Sequence, residues 1–431
     1  MSSEPISDDA AATAVDVPRG KLARMFSALH YRDFRLLWIG AFSSTTGTFM
    51  QTTAQAWLVF TMTRSPFLLG FDAFLSTGPM LVFSLFGGVI ADRMERRKVM
   101  LLSQYFQMSF AVVLTLLVYT HTVRIWHIFL LSFLTGSAQS ISGPAYITLL
   151  PLLVKREDVS NAVAMNSMQF NLARVIGPAL GGMAFAALGA AACFGLNALS
   201  FVAVIITISI IRIPPVHENV DRSRGVLGEM REGFRFVRER PSLLLLTFLS
   251  FAGTFLGMPL FTMLPVVAST VFGLGPVGLS WLQADYGLGS VVGALFVASA
   301  SYALNKGKLA LLLQLVFAAM LVAFGLSRNL AATVAIAFLA GACIVGVVSM
   351  YSSLVQLTVN DAMRGRVMSI FMLAFRGGMP LGNLLAGFVT QHWSIKVALV
   401  MNGTILASIA LIFILRRTDL DRGLQPYAEA A

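Results

Sequence analysis

The 431-residue chain is 57% hydrophobic and only 12% charged, with a mean hydropathy of +0.79. A soluble domain carries about 25% charged residues, so the composition excludes an ordinary soluble enzyme or binding module. The net charge of +11 does not indicate nucleic acid, because no basic patch sits on a soluble domain large enough to present one.

Residues 1–35 form a polar amino-terminal tail. No cleavable signal is expected there, since the first apolar run is too long and lacks a small-residue cleavage site. Six apolar runs follow, at 36–62, 67–91, 99–120, 125–150, 162–188 and 190–211. Residues 212–242 are then the only long internal polar stretch, opened by Pro214 and Pro215, which end the sixth helix because proline lacks the N–H a helix needs. Within it Leu227, Met230, Phe234 and Val237 recur at helical spacing while Arg231, Arg235 and Arg238 take another face. An amphipathic linker helix lying on the inner leaflet fits that pattern. Six more runs lie at 243–269, 279–303, 308–327, 330–355, 366–390 and 394–415, before a tail at 416–431.

Each run has the ~20 residues needed to cross ~30 Å of hydrocarbon. None shows the ~10-residue, period-two segments of a membrane barrel. The expected fold is an all-α membrane protein of twelve transmembrane helices, arranged as two six-helix bundles, 36–211 and 243–415, related by a pseudo-two-fold axis. Ser167, Arg174 and Pro178 in the fifth run match Ser369, Arg376 and Pro380 in the eleventh, each pair 202 residues apart, the internal repeat expected of a transporter.

Basic residues set the orientation. Of the 31 Lys and Arg, 25 fall in the tails and in the connections on the side of the tails, and two lie inside spans. Only Arg64, Arg124, Arg328 and Lys396 fall on the other side. Both termini are therefore expected in the cytoplasm of a bacterial inner-membrane protein. Trp126, Trp281 and Trp393 fall at the outer boundary and Trp38 at the inner one, where indole rings prefer to sit. Cys193 and Cys343 lie within spans as free thiols.

After the second run comes Gly87-Gly-Val-Ile-Ala-Asp-Arg-Met-Glu-Arg-Arg-Lys98. Gly88 permits close helix approach, Asp92 can face a helix N-terminus, and Arg93, Arg96 and Arg97 can hold acidic residues on adjoining loops, with Glu157 and Asp158 as candidates. The segment resembles the major facilitator superfamily signature G-x-x-x-D-R-x-x-R-R at every fixed position. The resemblance implies a conformational latch. The loop after the eighth span, Asn305-Lys-Gly-Lys308, is a degenerate counterpart. In the fifth span, Gly177-Pro178-x-x-Gly181-Gly182 is similar to the core of the superfamily's exporter and antiporter motif, with Ala173 in place of the upstream glycine. The fourth span, Phe133-Leu-Thr-Gly-Ser-Ala-Gln-Ser140, lacks the arginine that many of its exporters carry there. Across residues 30–415, with Tyr31-Arg-Asp-Phe-Arg-Leu-Leu-Trp38 and Arg364-Gly-Arg-Val-Met-Ser369, the chain resembles the branch that includes the enterobactin exporter and macrolide efflux proteins.

Four ionisable residues stand inside spans: Asp72, Arg174, Asp285 and Arg376. Charges in hydrocarbon are costly and mark a pathway or a buried pair. The superfamily's packing of helix 2 on 11 and 5 on 8 implies two pairs, Asp72 with Arg376 and Asp285 with Arg174, serving either as a proton-sensitive gate or as static assembly contacts. Its cavity, formed by helices 1, 4, 7 and 10, implies Gln51, Gln55, Gln139, Phe251, Thr254, Phe255 and Met258 as lining. Apolar and aromatic walls with a few amides suit a bulky amphipathic solute rather than a sugar phosphate. The resulting expectation is a secondary transporter working by alternating access. It would export a siderophore or drug-like molecule by proton antiport, acting as a monomer with small-molecule substrate, protons and membrane lipid as partners. An importer of the same fold is the closest rival. No cofactor or metal is expected: none of the histidines lies near a midplane, and no Cys/His cluster or Gly-rich nucleotide loop occurs, which also disfavours a membrane enzyme.

Overall fold

The computed structural model describes residues 26–83, 95–212, 226–300 and 306–415. A short 3-10 turn, Ser27–His30, leads into α1 (Arg32–Thr63), α2 (Pro66–Phe83), α3 (Arg96–Tyr119), α4 (Ile125–Leu149), α5 (Val159–Leu188) and α6 (Ala190–Ile210). A linker helix, Val226–Arg238, precedes α7 (Pro241–Val271), α8 (Pro276–Ala300), α9 (Lys306–Leu326), α10 (Leu330–Thr358), α11 (Asp361–His392) and α12 (Ile395–Leu415). Among the described residues there is no strand, as hydrocarbon demands when every backbone group must be satisfied within its own segment.

Nine of these helices are long and apolar enough to cross a membrane, among the described residues. The remaining long ones, α1, α4 and α8, have 32, 25 and 25 residues and are diluted by polar side chains. Their hydroxyls are largely satisfied within the helix: Thr48 donates to the Ser44 carbonyl at 2.9 Å, Thr52 to Thr48 at 2.8 Å and Ser137 to Phe133 at 2.7 Å. Such back-bonding lets a Ser/Thr-rich helix tolerate an apolar surround. Prolines interrupt α7 at Pro259 and Pro265, so its distal part runs as short helical pieces.

Two bundles pack in parallel patterns. In the first, α1 packs on α5 and α6, α2 on α4, and α3 on α6; in the second, α7 packs on α11, α8 on α10, and α9 on α12. One brace occurs in both. Asn197 on α6 donates to the Gln51 side chain of α1 at 2.6 Å, and Asn402 on α12 donates to the Leu256 carbonyl of α7 at 2.9 Å. Positions 402 and 256 each lie 205 residues beyond 197 and 51. Backbone contact closes α8 on α10, where a Cβ at Gly341 would overlap the Tyr286 carbonyl oxygen. Gly341→Ala should therefore overpack the second bundle by about 1–3 kcal/mol, read as a lower unfolding temperature of purified protein; an unchanged transition would refute that packing.

The end where α1 begins and α12 finishes is termed proximal. There the 3-10 turn is strapped to the segment before α5. Asp158 accepts from the Tyr31 hydroxyl at 2.7 Å and from Ser27 at 2.5 Å. Burial, together with that carboxylate, pushes the Tyr31 phenol up to about 12. Asp158 thus accepts from two hydroxyls, and among the described residues it forms no ion pair with Arg96 or Arg97. The linker helix docks on α11, with Glu232 2.9 Å from Arg366, and buries Val237 among Leu243 and Leu246 while Phe234 stays exposed. At the distal end, Trp126, Trp281 and Trp393 are exposed, at the depth where indoles anchor a span. Cys193 and Cys343 are free and buried.

Candidate functional site

The bundles meet along two helix pairs, α2 with α11 and α5 with α8. Their contacts run from mid-helix to the distal end and are made by small residues. A Cβ at Gly70 would overlap the Asn383 carbonyl oxygen, one at Gly387 would lie 2.8 Å from the Pro66 carbonyl, and one at Gly287 would lie 2.9 Å from the Arg174 carbonyl. Ser65 donates across to Gln391 at 2.8 Å, and Thr53 to Gln283 at 2.5 Å. Beneath this closure lies a cavity of about 340 Å³, within the range of small-molecule sites.

One wall of the cavity is a polar chain. Gln55 donates to Asp72 Oδ2 at 2.8 Å and to Ser132 at 2.9 Å, and Ser132 donates to Asp72 Oδ1 at 2.6 Å. Gln51, held by Asn197, continues the line toward α6. Asp72 is 6% exposed, and no ion pair to it is formed among the described residues. Both its oxygens are met by groups that can also accept or rotate, so this carboxyl is accommodated either ionised or neutral.

The two ion pairs expected across the bundles do not form. Arg376 contacts the Met80 sulfur at 3.3 Å, and Met80 lies eight residues from Asp72 on α2, about 12 Å along a helix. The α11 residue level with the Asp72 turn is Asn383 instead. On the other side it is Tyr286, not Asp285, that meets Arg174, its ring centroid 5.8 Å from the guanidinium, with Phe261 at 5.9 Å. Asp285 is left with a buried, unpartnered Oδ2.

Of the expected lining, Gln51, Gln55, Gln139 and Met258 face the cavity. Phe251, Thr254 and Phe255 do not: the Thr254 hydroxyl and the backbone of Phe251 and Phe255 lie against Gly378 and Gly382 of α11, and the two phenylalanine rings stack on each other at 5.4 Å. No residue of α10 lines the cavity; α2, α5, α8 and α11 contribute Asp72, Arg174, Gln283 and Asn383. A signal for the last two was present, since Gln283 and Asn383 are amides in otherwise apolar runs, and such residues inside spans are expensive.

The fifth-helix motif divides its work. Gly177 and Gly181 lie against Phe49 and Met50 of α1, whereas Gly182 lies against Ser280 of α8. Only the last glycine is therefore at the bundle interface. Pro178 is buried within the helix. Of the expected latch, Gly88, Asp92 and Arg93 lie outside the described residues. Arg96 and Arg97 open α3, and Arg97 donates to the Ser209 carbonyl at the end of α6.

Residues 23–425 match the family described as transmembrane secretion effector. Among curated relatives, macrolide efflux protein A of Streptococcus pyogenes is 24% identical over 386 residues, covering 88% of this chain and 94% of that protein. The enterobactin exporter EntS of Shigella boydii serotype 4 is 27% identical over 398 residues, covering 90% and 92%. The crystal structure of the nucleoside transporter NupG superposes with a TM-score of 0.69 at 14% identity, covering 90% of this chain and 99% of that one. The chain belongs to the transmembrane secretion effector family of major facilitator transporters, which are membrane transporters and not enzymes.

Proposed function

We propose that this transporter is a secondary active exporter that couples outward movement of a bulky amphipathic solute to inward movement of protons. The observation carrying the reading is the cavity-facing triangle of Asp72, Ser132 and Gln55. A carboxyl accommodated in both protonation states, and exposed to the same cavity as the solute, is what antiport requires of one site. The helix 5 motif and the efflux named in macrolide efflux protein A and EntS support the direction. In this reading all twelve helices span, α1, α4 and α8 included, since their polar residues face the cavity or bond their own backbone. The proximal end is cytoplasmic, on the strength of 25 basic residues against four, and the cavity closed distally is the inward-facing state of an alternating-access cycle. Gly88, Asp92, Arg93, Arg96 and Arg97 form the latch of the opposite state, and the protein works as a monomer.

Energised cells expressing the protein should accumulate less of an amphipathic dye than cells lacking it. Collapsing the proton gradient should erase the difference. Faster dye uptake on expression would reverse the direction and make the protein an importer.

A further inference from the structure

Arg174 stands near the middle of α5 and lines the cavity. Its Nε is buried without an acceptor, and no carboxylate lies within 4.0 Å of it among the described residues. The Phe261 and Tyr286 rings flank it at 5.9 and 5.8 Å. They hold the cation by their ring quadrupoles but cannot accept its N–H groups as an anion would. Asp72 does not serve, because Ser132 and Gln55 already hold it.

The same cavity carries a second donor. Gln283, one helical turn before Tyr286, is 2% exposed and lines the cavity. Its amide oxygen accepts from Thr53, so the side chain is fixed with its N–H groups left over. On the far wall Asn383 is fully buried, faces the cavity and has neither amide atom paired. Buried polar groups are almost always partnered. The Arg174 Nε, the Asn383 amide and the free N–H side of the Gln283 amide, all around one cavity, mark the place of a ligand's acceptor atoms.

We propose that Arg174, with the Gln283 amide lining the same cavity and the Phe261 ring as an apolar floor, forms an anion subsite that selects solutes carrying a carboxylate or equally acidic group on an aromatic or aliphatic body. The inference rests on the cavity being the transport site, though not on the direction or the coupling ion. Arg376, the residue at the matching position of α11, is exposed beside Met80 and does not line this cavity. The subsite therefore belongs to one half of the repeat only.

Binding to detergent-purified protein tests this without reference to transport. Dansylglycine and dansylglycinamide share one body and differ in the carboxylate. Titration calorimetry should find the acid bound about tenfold to a hundredfold more tightly than the amide, as expected for hydrogen bonds to a charged group. Arg174→Gln should bring the acid down to the amide's affinity and leave the amide unchanged. Arg174→Lys, which keeps the charge but loses the planar fork, should fall between and guards against a glutamine variant that fails to fold. Wild-type protein that binds both probes alike, or neither, overturns the subsite, as does discrimination that survives in both variants. Loss of dye export in cells with acid selectivity intact would instead count against the exporter reading alone.

Discussion

Asp72→Asn should abolish uphill export while leaving downhill exchange of substrate close to normal. The substitution keeps shape and most hydrogen bonds, because the Gln55 amide can turn to present either its oxygen or its N–H groups, and Ser132 can still donate. What is lost is the one carboxyl that lines this cavity among the described residues, a group that can gain and release a proton. In proteoliposomes the variant should therefore show counterflow without accumulation against a gradient when a pH difference is imposed. Asp72→Leu is a different experiment. It leaves the Ser132 hydroxyl without its acceptor and removes one of the Gln55 amide's two acceptors, at about 1–3 kcal/mol for each unpaired group, and should impair folding. An Asp72→Asn protein that concentrates substrate as wild type does would remove Asp72 from the coupling path.

Gly70→Ala should bias the transporter away from the distally closed state. The added methyl overlaps the Asn383 carbonyl oxygen, and a backbone atom of a packed helix has nowhere to rotate. The cost falls only on the state in which α2 and α11 touch. Overpacking of about 1–3 kcal/mol applied to one side of a two-state equilibrium moves it by about 5–150-fold. Thr52 lines the cavity, and both native cysteines are buried, so a Thr52→Cys reporter has little background. In the Gly70→Ala protein an impermeant maleimide should reach it faster from the distal side and more slowly from the proximal side. Unchanged rates on both sides would show that closure there does not govern access.

Much of this architecture was legible in the amino acids. Runs of apolar residues between polar breaks place α3, α6, α9 and α12 to within a few residues, since hydrocarbon thickness fixes helix length. The polarity of α1 was legible too, because Gln51 and Gln55 one turn apart put two amides on one face. Register between helices was not legible. Whether Asp72 meets Arg376 or Asn383 depends on how far α2 slides along α11, and that is decided by where Gly70 and Gly387 let the two backbones touch. Asp285 and Tyr286 are adjacent in sequence, yet only the second faces Arg174, a turn of about 100° per residue that apolar periodicity does not resolve in a helix buried on most sides. The place of Phe251 and Phe255 was hidden for the same reason: which side of α7 meets the glycines of α11 decides which of its residues line this cavity.

The paired asparagine braces differ in one respect that bears on how cargo is felt. Asn402 grips a main-chain carbonyl at Leu256, which no solute can displace. Asn197 grips the Gln51 side chain, which lines the cavity and can turn. A molecule that claimed the Gln51 amide oxygen would remove this brace between α6 and α1 and would have no equivalent purchase on α12 and α7. If the cavity is the transport site proposed above, occupancy would be registered as a change in stiffness of one half, against which the other serves as a fixed lever.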